Sequence, residues 1–157
     1  HVNAHCHQHL HPTVFRMILR IGRDYGMRAV RLPLEPMQTL RALGAAWPQL
    51  AARAALQPWV RLLQRRIRRA GLHCNEYVFG LSTTGAMSEE VLLRIVGCLP
   101  PGTSEIYFHP AVALAAVPGS APCEQPHAAE LNALVSPRVR AAIAAAGIQS
   151  TSFSELR

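Results

Sequence analysis

Hydrophobic and polar residues follow one another along the chain in blocks that switch between a helical and a strand spacing. After Pro12, apolar residues recur at helical spacing as far as Gly26, with arginines on the opposite face. A short apolar run over 27–32 then predicts a strand. With the segment before Pro12 taken as extended, this gives an order of strand, helix and strand, which is typical of α/β proteins with parallel strands.

The same alternation continues through the rest of the chain. Helical spacing returns over 38–70, with interruptions at Gly44 and Pro48, and again after Ser88, over 128–134 and after Ser136. Further strands are predicted over 73–79, 103–108 and 148–153, and a Pro/Gly/Ala-rich loop over 110–126. Four or five strands alternating with helices predict an α/β fold.

Charge affects which partners are expected. All 16 basic residues are arginines, nine residues are acidic, and the net charge is +7, which suits nucleic acid or an anionic membrane. The absence of lysine indicates a coding bias, and an aromatic content of 6% leaves few rings to stack on bases. We therefore expect no nucleic-acid partner. The alternative is a basic module that binds nucleic acid or anionic lipid through Arg65–Arg69.

Length and cysteine usage restrict the class of protein. The 157 residues are enough for one domain, expected over 1–157. Their apolar stretches are too short for a membrane span. The cysteines lie far apart and form no CxxC pair, which predicts reduced thiols and a cytoplasmic location. They are Cys6, Cys74, Cys98 and Cys123.

A run of histidines near the start of the chain is the most informative local feature. His5, His7, His9 and His11 alternate with other residues, and in an extended chain this spacing places all four imidazoles and Asn3 on one side. Neutral imidazoles are favoured ligands for divalent metals. The pattern favours a metal site or active site over an exposed histidine-rich end or a purification tag.

A second candidate lies at the end of the strand predicted over 103–108. His109 follows this strand, and function gathers at the carboxyl ends of parallel strands. His5 holds the equivalent position after the first strand, so the two histidines could face one cavity; a histidine that only caps a strand end is the alternative. Arg28 and Arg31 lie on opposite faces of their strand, and either could clamp a substrate oxygen or lie at the surface.

Three segments in order along the chain resemble one family: Asn3–Pro12 (NAHCHQHLHP), Gly22–Arg31 (GRDYGMRAVR) and Glu105–Ala111 (EIYFHPA). With 79–81 and 134–138, they are similar to the YdjC/ChbG-type carbohydrate deacetylases, in the branch associated with hopanoid biosynthesis (HpnK-like). The resemblance implies a partial (β/α) barrel of the glycoside hydrolase/deacetylase type. Residues 1–157 would be its C-terminal part, with the N-terminal strands missing.

The same resemblance implies metal-dependent hydrolysis of the N-acetyl group of an N-acetylglucosamine-containing compound. In this branch the expected substrate is a lipid-linked one, an N-acetylglucosaminyl hopanoid. The family's first motif histidine, a ligand of a divalent metal (Mg or Zn), maps onto His5. His109 maps onto the proton donor or substrate contact. His7, His9 and Arg31 are candidate substrate-binding residues, and a homodimer is a further expectation.

This sequence also departs from the family pattern. It has no Asp-Asp-Phe-Gly segment and no counterpart of the family's other metal-binding histidine, and its sole aspartate, Asp24, lies on a predicted helix. A (β/α) barrel typically needs about 250 residues. We therefore expect the chain alone to be an inactive fragment of a deacetylase.

Overall fold

Helices separated by short extended segments make up the described part of the chain. A computed structural model describes residues 1–83, 85–112 and 125–156; Cys123 and most of the loop predicted over 110–126 lie outside this part. The elements are a 3₁₀ helix η1 (His5–Leu10), α1 (Pro12–Asp24), α2 (Met37–Ala42), α3 (Trp47–Arg69), β1 (Tyr77–Phe79), α4 (Glu89–Gly97), β2 (Ser104–Ile106), α5 (Gln125–Val135) and α6 (Pro137–Ala145).

The extended segments pair in the order in which they occur along the chain. Val2 forms a parallel bridge with Val30, and Ala29 forms another with His73. Strands β1 and β2 pair in a two-stranded sheet. Helices lie between Val2 and Val30, between Ala29 and His73, and between β1 and β2, which confirms the predicted α/β class. The strands are shorter than predicted, since 27–32 contributes only bridges and β2 ends at Ile106.

Two predicted extended segments at the ends of the chain are wrong. The histidine run is not extended, because it forms η1. Residues 148–153 form no strand. The Glu155 carboxylate instead accepts hydrogen bonds from the Ser152 backbone N–H and hydroxyl, both at 2.9 Å, and so closes a turn. The Phe153 ring stacks on that of His1, with 4.4 Å between the ring centroids.

Local signals in the sequence account for several helix starts. The Ser88 hydroxyl accepts the Val91 backbone N–H at the start of α4, and Ser136 accepts the N–H groups of Arg138 and Val139 at the start of α6. Both caps were expected from the serine positions. They satisfy N–H groups that have no partner inside the helix.

Helix α3 is the longest helix in the described part of the chain, with 23 residues. It buries Leu50, Val60, Leu63 and Ile67. As the helical spacing predicts, it exposes Arg61, Arg65, Arg66, Arg68 and Arg69. The same spacing places Leu62 inward, but Leu62 is 38% exposed. None of the described helices combines the length and the hydropathy that crossing a bilayer requires.

The chain divides into two compact units, so the single domain expected over 1–157 stays a prediction. The first comprises His1–Val78, Gly102–Glu105 and Ser150–Arg157, and the second comprises Phe79–Pro101 and Ile106–Gln149. The core of the first unit consists of Phe15, Val30, Leu32, Leu34, Val60, Leu63, Ile67 and Cys74. Buried residues of the second include Phe79, Met87, Leu92, Ile95, Val96, Ala133 and Val139.

Within the first unit, the side chain of Asn75 forms hydrogen bonds to backbone groups that a neighbouring strand would otherwise satisfy. Its fully buried side chain accepts the Leu32 N–H at 2.7 Å and donates to the carbonyl oxygens of Leu32 at 2.7 Å and Tyr77 at 2.9 Å. These backbone groups need partners because water does not reach them. Asn75 therefore joins the segment after Val30 to the start of β1.

We expect Asn75→Ala to lower the free energy of unfolding by about 2–4 kcal/mol, because it removes three buried hydrogen bonds and leaves their backbone partners unsatisfied. Urea unfolding measures the change. Asn132→Ala, at an exposed position on α5, is the matched control and should change the free energy by less than about 0.5 kcal/mol. An equally small change for Asn75→Ala would contradict this role.

Candidate functional site

The histidine segment forms a tight 3₁₀ turn that separates its imidazoles. Cys6 and His7 have positive φ angles of 50° and 55°, in the left-handed region that residues other than glycine rarely adopt. The helix leaves His5 exposed, His7 half-buried and His9 fully buried. The prediction that period-two spacing places these side chains on one side is therefore wrong.

Two hydrogen bonds hold this segment in the first unit. The indole Nε1 of Trp59 on α3 donates to the Leu10 carbonyl at 2.9 Å. The imidazole Nε2 of His9 donates to the Arg31 carbonyl at 2.8 Å, since a carbonyl can only accept. Both bonds join residues that are distant along the chain, so tertiary contacts fix the path of the turn.

The hydrogen bond of His9 determines what its other nitrogen can do. With Nε2 protonated, Nδ1 of a neutral imidazole is an acceptor. This atom is buried and has no hydrogen-bond partner in the described part of the chain, and the same holds for Nδ1 of His7. The two rings lie edge to face, with 6.0 Å between centroids. Unsatisfied buried polar atoms are rare in native proteins and mark places where a water or ligand completes the structure.

Burial also controls the charge of these two histidines. Desolvation is the largest cause that lowers the pKa of His7, and the nearby His9, Arg53 and Arg31 lower it further. Desolvation likewise lowers the pKa of His9, and the Arg31 charge adds to this, whereas the hydrogen bond to the Arg31 carbonyl acts in the opposite direction. Both imidazoles are therefore neutral at pH 7 and can accept hydrogen bonds.

Arg31 lies beside this pair and is held by an acidic residue of β2. Its Nε donates to Glu105 Oε2 at 2.9 Å, and its Nη2 donates to the other carboxylate oxygen. Both side chains are largely buried, at 18% and 16% exposed. Such two-point pairing fixes the plane of the guanidinium. The structure thus brings together three predicted substrate-binding residues, His7, His9 and Arg31, and adds Glu105.

His109, the predicted catalytic residue, belongs to the second unit. Its side chain is exposed, and its ring contacts the ring of Tyr107 edge to face at 5.2 Å between centroids. Gly80 lies against this strand end: a Cβ there would come 2.5 Å from the Tyr107 carbonyl oxygen, and its φ is +103°. Glycine is required at this position by both the close approach and the backbone conformation.

A complete metal site is not formed by the described residues on their own. No group of three or more His, Cys, Asp or Glu side chains among them is placed to hold a metal ion. His5, the predicted ligand, is exposed at the start of η1. His7 and His9 have nitrogen donors that suit zinc but supply only two, whereas zinc sites use three or more protein ligands, and magnesium prefers oxygen ligands. The residues present therefore do not fit the metal by themselves.

One arginine of the basic face of α3, formed by Arg65–Arg69, pairs with an acidic residue. Arg65, Arg66 and Arg69 are exposed, while Ile67 is buried in the core. Arg68 pairs with Glu76 at 3.1 Å, with both side chains substantially exposed. This arrangement is typical of an amphipathic helix with a solvated charged face. Binding of nucleic acid or anionic lipid through Arg65–Arg69 stays a prediction.

Sequence reasoning missed three polar residues that hold the candidate site residues. Glu105 alternates with His109 on the strand predicted over 103–108, and this alternation places both on one face without indicating a role for Glu105. Helical spacing places the Trp59 ring inward and does not indicate a partner for its indole N–H. Glu130 is a buried carboxylate of α5 that accepts the backbone N–H of His109. The signal in the sequence is that Glu130 is the one acidic residue of α5 and lies between Ala129 and Leu131.

The parallel extended segments and the pair formed by half-buried His7 and buried His9 define an α/β protein with a histidine-containing candidate site. The family model described as YdjC-like protein matches residues 1–145, and the chain belongs to this family. This result confirms the family proposed from the three sequence motifs.

Two carbohydrate deacetylases are similar to this chain. The carbohydrate deacetylase of Mus musculus is 31% identical over 175 residues, an alignment that covers 99% of this chain and 55% of the relative. That of Homo sapiens is 31% identical over 177 residues, covering 99% of this chain and 53% of the relative. The chain thus spans about half the length of the curated relatives it matches. No solved structure matches it.

The lowered pKa of His9 predicts how stability depends on pH. The unfolded chain binds a proton near the ordinary histidine pKa of about 6.5, and the folded chain binds it only at lower pH. The free energy of unfolding should therefore fall as pH decreases below this value. His9→Gln, which keeps an amide donor for the Arg31 carbonyl, should reduce this dependence.

Urea unfolding at pH 7.5 and pH 5.5 measures the effect. His5→Gln, at an exposed position of the same helix, is the matched control and should keep the pH dependence of the wild type. If His9→Gln and the wild type lost equal stability over this range, His9 would not be the group responsible.

Proposed function

We propose that the gene product carrying this chain is a carbohydrate N-deacetylase. The carrying observation is the pair of neutral histidines beside Arg31, the half-buried His7 and the buried His9, whose buried Nδ1 atoms have no partner among the described residues. Membership of the YdjC-like family and similarity to two carbohydrate deacetylases support this reaction class. The motifs in 3–12, 22–31 and 105–111 support a partial (β/α) barrel, and the parallel order of the extended segments agrees with it.

The reaction in this proposal is hydrolysis of an amide. Water adds to the carbonyl carbon of the N-acetyl group, the C–N bond breaks, and acetate and a free amino sugar are released. The leaving nitrogen must gain a proton as the bond breaks, because an amide anion is a very poor leaving group. We assign this proton transfer to His109, whose imidazole is exposed at the end of a strand.

His7, His9 and Arg31 have a different role in the proposal. A neutral imidazole can accept a hydrogen bond from a sugar hydroxyl, and such a bond would satisfy Nδ1 of His9 or a ring nitrogen of the half-buried His7. The Arg31 guanidinium, held in one plane by Glu105, presents an oriented cation to a substrate oxygen. The fixed hydrogen bonds of these groups would orient the sugar before it reacts.

The finer assignments in the proposal rest on the motif resemblance. The substrate is an N-acetylglucosamine-containing compound, specifically a glycosylated hopanoid lipid, and the protein acts in the cytoplasm. The enzyme uses a divalent metal, Mg or Zn, with His5 as one ligand. The steps assigned above involve only side chains of this chain.

We expect the gene product to release acetate from an N-acetylated amino sugar, and His109→Ala to lower kcat by about 10²–10³-fold because the leaving amine loses its proton donor. Acetate release under saturating substrate measures kcat. Arg140→Ala, at an exposed position of α6, is the control and should retain wild-type activity. A kcat for His109→Ala equal to that of the wild type would remove His109 from the mechanism.

The 157 residues on their own should release no acetate, because the described residues bring no three metal-ligating side chains together. The carbohydrate deacetylase of Mus musculus, assayed on the same substrate and with added Mg²⁺ or Zn²⁺, is the positive control. Acetate release by the 157-residue chain above the rate of its His109→Ala variant would show that these residues suffice for the reaction.

A further inference from the structure

Helix α5 carries a buried carboxylate that no assigned step uses. Glu130 is 1% exposed. It accepts the backbone N–H of Gly85 at 2.8 Å through one oxygen and the backbone N–H of His109 through the other. Burying a carboxylate is costly unless it is well hydrogen-bonded, so its placement needs a physical reason. Here one carboxylate binds the segment after β1 and the segment after β2.

The same face of α5 binds His109 a second time. His127 precedes Glu130 by three residues, so the two side chains lie on one side of the helix. The His127 Nδ1 donates to the His109 carbonyl at 2.6 Å, because the carbonyl can only accept. Helix α5 thus holds both the backbone N–H and the backbone C=O of the residue to which we assign proton transfer.

This arrangement fixes the backbone of His109 but leaves its imidazole accessible. The ring is exposed and meets only the Tyr107 ring among the contacts described above. A proton donor must reach the leaving nitrogen within hydrogen-bonding distance, and a displacement of about 1 Å can cost on the order of 100-fold in rate. A fixed backbone limits the imidazole to rotation about its side-chain bonds.

We infer that Glu130 is a positioning residue for the deacetylation reaction, which acts by holding the His109 backbone through its carboxylate. The inference rests on the proposed function, since it gives His109 a reaction to perform. Glu130 touches no substrate in this role. The competing interpretation is that Glu130 only stabilises the second unit.

Glu89 offers a matched control for that interpretation. Its carboxylate accepts the Ser136 hydroxyl at 2.5 Å and pairs with Arg138. It therefore joins α4 to the start of α6 in the same unit, through side-chain groups and not backbone N–H groups, and forms none of the hydrogen bonds described for His109. Glu89→Gln should perturb the unit without moving His109.

The test compares Glu130→Gln with Glu89→Gln by two measurements. In the 157-residue chain, amide hydrogen exchange by NMR reports the His109 N–H directly. In the gene product, acetate release gives kcat, KM and the pH profile of kcat. Glu130→Gln keeps the side-chain size but replaces one acceptor oxygen by an NH₂ group that opposes a backbone N–H.

For Glu130→Gln we expect His109 amide exchange to accelerate at least about tenfold, and kcat to fall about tenfold or more while KM changes less than about twofold. The limb of the kcat pH profile that is lost in His109→Ala should also move in Glu130→Gln. Glu130→Asp keeps the charge but is one methylene shorter, and should give an intermediate kcat. Glu89→Gln should leave the His109 exchange rate and kcat unchanged.

Several outcomes would overturn the inference. Equal losses of kcat in Glu130→Gln and Glu89→Gln would show a general structural role, and so would a loss of kcat without faster His109 exchange. If Glu130→Gln does not fold, the same comparison uses Glu130→Asp. If Glu130→Gln accelerates His109 exchange while both Glu130→Gln and His109→Ala keep the wild-type kcat, the backbone contact exists but the proposed role of His109 is refuted, and with it the positioning role of Glu130. A low kcat only in His109→Ala would refute positioning by Glu130.

Discussion

Buried backbone N–H and C=O groups need hydrogen-bond partners, and the short strands of this chain supply few of them. Strands β1 and β2 have three residues each. Side chains satisfy the groups beyond the ladders: Asn75 binds the segment after Val30, His9 binds the Arg31 carbonyl, and Glu130 binds the His109 N–H. All three of these side chains are 0–1% exposed. They fix the ends of the extended segments, which is where the candidate site residues lie.

The helices could be predicted well from the sequence because their signals are local. Pro12 at the first turn of α1 and serines at the starts of α4 and α6 act within three or four residues of their own position. The three internal strands lie where the pattern predicts them but are shorter, since apolar alternation does not report how much of a segment finds a paired neighbour. The two extended segments predicted at the ends of the chain do not form strands. The α/β class follows from the order of elements, which is robust to such errors.

The histidine segment and the residues that support the site could not be predicted in this way. Alternating histidines imply one common face only if the chain is extended, and here Cys6 and His7 adopt left-handed backbone conformations. The segment is held by hydrogen bonds between Leu10 and Trp59, which are 49 residues apart, and between His9 and Arg31, which are 22 residues apart. No local pattern encodes such contacts. Family resemblance identified which histidines to consider, whereas their burial and hydrogen-bonding state required the fold.

The bond between Trp59 and the Leu10 carbonyl also makes the site observable by optical methods. The chain has two tryptophans. Trp47 is 75% exposed, so its emission reports mainly on bulk solvent. Trp59 is partly buried, and its indole N–H is tied to the last residue of η1. Any movement of the histidine turn, whether caused by a sugar, a metal ion or a proton, changes the surroundings of this one indole, and the protein therefore carries an intrinsic fluorophore at its candidate site.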